Sequence, residues 1–311
     1  MSLAAPKATS ISGASPKLHI AFFGTPEFAV DILNELEIAG FAPALIVTNP
    51  DKPKGRKLVL TPPPTKVWAD KRAIKVAQPD TLRDGKLLQE LRKERWDLFI
   101  VAAYGKIIPK EYIDLPLHRT LNVHPSLLPK FRGASPIQSA IIADEKHTGV
   151  SIMVLDEEMD HGPILGQESH VVRDWPKVDE LERALAQKGG ALLARLIPQW
   201  IDRTIEAVPQ EHHLATYTKK IAKTDGLIDL ETVASDPYAA FRKIQAFAGW
   251  PGAYFMEPNA TTDTESNAKV GAKRVIISDA TFANNELTIN KVIPEGKKEM
   301  TYAAYRTQKS V

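Results

Sequence analysis

The chain has no cysteine in its 311 residues. That excludes disulfides, thiolate metal ligands and a thiol nucleophile, and it fits a reducing compartment. An excess of one charge is missing too, because 40 basic side chains face 38 acidic ones. Net charge therefore gives no case for general nucleic-acid binding, and any such affinity must come from local clustering. Long apolar runs are also absent. The strongest strand candidate holds residues 98–104, far short of a membrane span. Residues 1–16 are Ser/Ala/Pro-rich with a single charge, Lys7, and no arginine. They lack the apolar core of a signal peptide and the arginines of a transit peptide, so a disordered tail is expected.

Several catalytic signatures are missing as well. Gly24-Thr25-Pro26-Glu27-Phe28 is not GxGxxG, which leaves a dinucleotide site weakly supported. Without a GxSxG elbow, Ser126 and Ser135 are poor nucleophile candidates. There is no HExxH, the other histidines lack metal-ligand spacing, and no metal is expected. His161, His212 and His213 read as surface or turn residues.

What is present points to a soluble α/β protein. An apolar fraction of 43% is ordinary for a globular chain, and the length suits one large domain or two medium ones. Strand candidates fall at residues 18–23, 44–47, 75–77, 97–103 and 120–123, with helical segments between them, notably 84–95. Thr25 suits an N-cap and Pro26 a first helical position, predicting a helix to about residue 39. Strands alternating with helices give a mostly parallel sheet covered on both faces. Two more strands are expected at 149–155 and 164–172. A long amphipathic helix follows at 179–201, with Leu181, Leu185, Leu192, Leu193 and Leu196 on its apolar stripe. The alternation then stops. Residues 205–214 read as a linker between a domain at 17–204 and a smaller β-rich one at 215–311. Strand-like pieces lie at 253–256, 275–277 and 287–292, and the polar stretch 259–268 reads as a loop.

The most informative stretch is residues 121–140. Asn122 and His124 sit two apart, so on a strand they share a face. Pro125 holds His124 extended and removes a ladder donor, which ends the strand there. The pair then stands at a strand's carboxyl end, where open α/β sheets place their ligands. An amide donor beside a titratable ring suits acyl or formyl transfer. Asp160, in Met159-Asp160-His161-Gly162-Pro163, is the candidate carboxylate to orient His124. A third feature is the segment 49–66. Lys52, Lys54, Arg56, Lys57 and Lys66 punctuate it with no acid between them, and Gly and Pro argue against regular structure. Its functional reading is a flexible clamp on phosphates.

On these residues the chain resembles the methionyl-tRNA formyltransferase family of the folate-dependent formyltransferase superfamily. The resemblance runs from Leu18 to about Arg306. It is carried by residues 23–29, Asn49-Pro50-Asp51-Lys52-Pro53, Ala103-Tyr104-Gly105, the 122–140 block, residues 148–153 and the Asp160-x-Gly162 turn. It implies a Rossmann-like domain followed by an OB-like barrel. It also implies transfer of a formyl group from 10-formyltetrahydrofolate, as co-substrate, to the α-amine of initiator methionyl-tRNA, without a metal. The family's Asn-His-Asp trio falls on Asn122, His124 and Asp160. Its folate contacts fall on Ser126, Leu127, Leu128 and Pro129. Its tRNA-inserting loop falls on Lys52 to Lys66, with Arg56 as the matching arginine. The resemblance further implies a cytoplasmic, bacterial, monomeric protein. The chain departs from the family in three places: a shorter basic loop, the His-Gly-Pro sequel to Asp160, and a shortened C-terminal domain. Two alternatives stay open at this point. One is a related enzyme that formylates another amine or hydrolyses formyl-folate; the other is an inactive RNA-binding protein.

Overall fold

The computed structural model describes residues 18–55, 58–258 and 272–308. The tail 1–16, Arg56 and Lys57 of the basic segment, and the polar stretch 259–268 lie outside the described residues.

The first part alternates strand and helix. It begins β1 (Ile20–Gly24), α1 (Glu27–Ile38), β2 (Leu45–Val47), then β3 (Lys52–Lys54) and β4 (Val59–Thr61). It continues through α2 (Pro64–Asp70), β5 (Lys75–Ala77), α3 (Lys86–Leu91), β6 (Leu98–Ala102) and α4 (Lys110–Ile113) to β7 (Thr120–His124). After β7 come β8 (Arg132–Gly133), α5 (Pro136–Ile142), β9 (His147–Val154), β10 (Ile164–Val171) and α6 (Val178–Ile201). The C-terminal part holds β11 (Tyr217–Thr218), α7 (Leu230–Val233), α8 (Pro237–Ala246) and β12 (Tyr254–Pro258). It closes with β13 (Ala272–Ala283), β14 (Glu286–Pro294), β15 (Met300–Thr301) and α9 (Tyr302–Thr307).

Seven strands form one sheet in the order β10-β9-β7-β6-β1-β2-β5. From β7 to β5 all neighbours are parallel, while β9 pairs antiparallel with both β7 and β10. This is the mostly parallel sheet that the sequence pattern predicts, in the Rossmann-like form that the resemblance implies. β1 and β6 are buried at every position, as strands covered on both faces must be. Ile20, Phe22, Leu98 and Ile100 pack under α1 and α6, and Ala21, Phe23, Phe99 and Val101 form a second core on the opposite face. α6 lies close because two glycines face its neighbours. A Cβ on Gly189 would stand 2.7 Å from Val123, and one on Gly190 would stand 2.6 Å from the Cβ of Glu35.

Three local expectations are corrected. Segment 49–66 is not free of regular structure: β3 and β4 pair as an antiparallel hairpin. A two-stranded ribbon is edge on both sides, so Pro53 is tolerated in it. The helix expected over 84–95 spans six residues and starts after Gly85, at φ +71°. Thr25 does not cap α1. Its hydroxyl accepts from the Asn49 amide at 3.0 Å and reaches the Tyr104 carbonyl at 3.3 Å, binding three strand ends together instead.

The C-terminal sheet runs β12-β13-β14-β15, all antiparallel, in a small OB-like unit with α8 against β13 and β14. Its strands are longer than the sequence predicted. Its apolar face does not close on itself: Phe255, Val275 and Val292 join Ile141 of α5 and Leu181 and Leu185 of α6 in one cluster. Residues 205–214 lie between the two sheets and are not bare chain. Val208 exchanges two backbone hydrogen bonds with Ile164, each 2.8 Å.

Candidate active site

β7 delivers Asn122 and His124 on one face at its carboxyl end, and both are buried. Among the described residues, the Asn122 amide makes no hydrogen bond to protein; its residue is 8% exposed, so the donor is sheltered but uncommitted. His124 is held at both ring nitrogens. Nε2 lies 3.0 Å from the Phe131 carbonyl, and Nδ1 lies 3.5 Å from Asp160 Oδ1. Both partners are acceptors. A neutral ring can donate to one of them, and only the charged ring can donate to both.

The loop after β7 supplies the Phe131 carbonyl, and it is built from internal hydrogen bonds. Ser126 Oγ donates to the Lys130 carbonyl at 2.6 Å. Ser151 Oγ on β9 donates to the Ser126 carbonyl at 2.6 Å and accepts from the Leu128 amide at 3.0 Å. Gln167 closes the far side, donating to the Leu128 carbonyl and to Ser151 Oγ. Ser126 and Leu128 are buried, so Leu127 and Pro129 are the half-buried members of the candidate folate-contacting segment. Leu128–Pro129 is a cis peptide bond.

Asp160 comes from the turn between β9 and β10, with φ +52°. Its Oδ2 accepts the Gly133 amide at 2.7 Å, which leaves Oδ1 toward His124. Gly133 has φ +107°, and a Cβ there would stand 2.7 Å from the Thr218 carbonyl, so β8 and β11 can pair this closely only around glycine. The trio is thus assembled from one strand, which carries Asn122 and His124, and one turn, which carries Asp160. A cleft of about 390 Å³ lined by Leu128, Pro129, Gln167 and Gln210, and another of about 360 Å³ that reaches His161, lie nearby; neither is lined by Asn122. Among the described residues there is no cluster of His, Cys, Asp and Glu that could hold a metal ion, and no helix is long and apolar enough to cross a membrane.

The basic segment is placed differently. Lys52 and Lys54 are exposed on β3. Leu58, Val59 and Leu60 on the returning arm are 70%, 60% and 64% exposed. Lys66 sits on α2 with its ammonium 2.9 Å from Asp51. Hydrogen bonds from the Gln78 amide, and then from Lys66, hold the Asp51 carboxyl below its usual range. Gln78 also donates to the Asn49 carbonyl at 2.9 Å, and Asn49 to the Tyr104 carbonyl at 3.0 Å. The root of the hairpin is therefore tied to the carboxyl end of β6, beside β7. Below that point, burial pushes the Tyr104 hydroxyl up to about 12.

A sequence profile described as formyl transferase matches residues 18–197, more than half the chain. The methionyl-tRNA formyltransferase of Halalkalibacterium halodurans is 38% identical over 295 residues, covering 91% of this chain and 92% of its own.

The chain belongs to the methionyl-tRNA formyltransferase family.

A second family member, from Chloroflexus aggregans, is 42% identical over 241 residues, 76% of each chain. The likeness in fold extends to an N-formyltransferase of Helicobacter canadensis solved with folinic acid and dTDP-3-aminofucose. It superposes with a TM-score of 0.61 at 18% identity, over 91% of this chain and 98% of that one.

Within this family member, sequence reasoning offered Asn122, His124 and Asp160 as candidates but missed the groups around them. The Phe131 carbonyl and Gly133 amide are main-chain groups and left no residue-type signal. Ser151 and Gln210 sat in a plain strand and an apparent linker. His161 and His212 are not simple turn residues: their rings stack at 4.0 Å, and His161 Nδ1 lies 2.7 Å from Asp156. Only the tertiary fold brings positions 161 and 212 together.

Proposed function

We propose that this chain formylates the α-amine of methionine on initiator tRNA, taking the formyl group from 10-formyltetrahydrofolate. The observation that carries the reading is that His124, on the same face of β7 as Asn122, stands 3.5 Å from Asp160. In the reaction the methionyl nitrogen bonds to the formyl carbon and the bond from that carbon to N10 breaks. The amine gives up a proton and N10 gains one. The uncommitted Asn122 amide donates to the oxygen that becomes negative as the amine adds. His124 faces the same side and carries the proton toward the leaving nitrogen, directly or through water. Asp160 acts through His124, orienting its ring and compensating its charge.

Folate is assigned to the side of the loop formed by Ser126, Leu127, Leu128 and Pro129. The internal bonding of Ser126 and Leu128 leaves Leu127 and Pro129 as the surfaces free to touch it. The tRNA is assigned to Lys52, Lys54, Arg56, Lys57 and Lys66. In support, Lys52 and Lys54 stand exposed on a hairpin whose root is tied to the carboxyl edge of the sheet. Lys66 serves from that root, since its ammonium is shared with Asp51. A cytoplasmic, monomeric protein without a metal requirement is part of the same proposal.

The test is formylation of charged initiator tRNA against charged elongator tRNA with 10-formyltetrahydrofolate. Selective formylation of the initiator is expected. Formate release without a formylated amine would instead indicate a formyl-folate hydrolase.

A further inference from the structure

A buried polar cluster around Arg132 has no part in the mechanism above. The Arg132 guanidinium is only 1% exposed, yet its partners are neutral. Nη2 donates to Gln210 Oε1 at 2.6 Å and to His212 Nδ1 at 2.9 Å. Nε reaches the same Gln210 oxygen at 3.2 Å, and Nη1 reaches the Tyr217 hydroxyl at 3.3 Å. Among the described residues it forms no ion pair. A charge buried against neutral groups alone is costly, so its neighbours must fit it closely.

Gln210 is 5% exposed and uses its whole amide. While its oxygen takes Arg132, its Nε2 donates to the Asp160 carbonyl at 2.9 Å and to the Gly162 carbonyl at 2.8 Å. These two carbonyls belong to the turn in which Asp160 holds φ +52°, a conformation that is unfavourable for a non-glycine residue and persists only where its surroundings enforce it. The residue after Arg132, Gly133, binds the Asp160 carboxylate. The turn is thus gripped on its main chain by Gln210 and on its side chain by the neighbour of Arg132. The contact this grip delivers, Oδ1 to His124 Nδ1, is 3.5 Å and would be lost on a small shift.

We propose that Gln210, braced by Arg132, is a positioning residue for Asp160, through which the segment leading into the C-terminal unit sets the geometry of the reacting centre. The proposal rests on the reading of Asn122, His124 and Asp160 given above. It is tested in the full chain with three variants, Gln210→Leu, Gln210→Glu and Asp160→Asn, and the double variant Q210L/D160N. Gln210→Leu is expected to lower kcat about 10- to 100-fold while KM for tRNA and for formyl-folate stays within about twofold. Gln210→Glu keeps an oxygen, now charged, for Arg132, so the fold is retained. It turns an oxygen toward two carbonyls, so kcat should fall as well. In the Asp160→Asn background, Gln210→Leu should cost less than about threefold more, because both act through one contact. Wild-type kcat in Gln210→Glu, or losses that multiply in the double variant, would overturn the proposal and leave the trio intact. An Asp160→Asn chain at wild-type rate would overturn the trio reading and the proposal with it.

Discussion

The carboxyl end of β7 and the β3–β4 hairpin carry the two halves of the proposed activity, and they are built in opposite ways. At β7, Asn122 and His124 are buried, and the loop that follows is held by hydrogen bonds to β9 and β10. In the hairpin, every residue of β3 and most of β4 are exposed. Its root is fixed by Asp51, Lys66, Gln78 and Asn49. Chemistry on a small group needs donors set in place before the substrate arrives. Contact with a phosphate backbone needs exposed charge and tolerates a looser frame.

The contrast can be broken by substitution, and the largest effect is expected at β7. His124→Ala should lower kcat roughly 10²- to 10⁴-fold, the range for loss of an acid–base group, in single-turnover formylation with protein of unchanged melting temperature. Asn122→Ala should lower it about 10²- to 10³-fold; near-wild-type turnover would remove Asn122 from the oxyanion role. For stability, Leu121→Ala beside the trio should cost roughly 2–5 kcal/mol in denaturant unfolding, because that side chain is fully buried. Leu60→Ala on the hairpin should stay within about 0.5 kcal/mol. Equal losses at the two positions would erase the comparison.

Smaller effects are expected from the hairpin charges. Arg56→Ala should weaken tRNA use and reduce the slope of log affinity against log salt by about 1, with formyl-folate affinity unchanged. A change confined to folate would reassign the loop. The smallest effect concerns the root. Asp51 has a lowered folded-state pKa, so its contribution is present above its unfolded value and lost as pH falls through the folded one. Protection of the hairpin amides from hydrogen exchange should therefore drop below about pH 4 in the wild type and be low already at neutral pH in Asp51→Asn.

The legible parts were those with a local cause. All-apolar runs marked β1 and β6, and the i, i+2 spacing with Pro125 put Asn122 and His124 on one face at a strand end. The Leu stripe marked α6. The hairpin was missed because glycine and proline signal irregularity one residue at a time, whereas a short ribbon needs only two extended arms. Thr25 was misread as a cap because its competing partner, Asn49, comes from another strand. Gln210 was hidden for a related reason: nothing around it in sequence says that its amide spans the Asp160 turn and Arg132.

Sequence by itself determined the alternation of the main strands and helices in the first domain, the family, and the three side chains proposed at the reacting centre. These follow from periodicity, from backbone limits at proline, and from residue chemistry, all of which act over a few neighbours. Only the tertiary structure decided that His124 meets both Asp160 and the Phe131 carbonyl, that Lys66 is shared with Asp51, and that the segment at 205–214 reaches the Asp160 turn. Those contacts join positions up to 50 residues apart. They exist because the sheet brings strand ends together, and burial there favours pairing of polar groups, with the Asn122 amide as an exception.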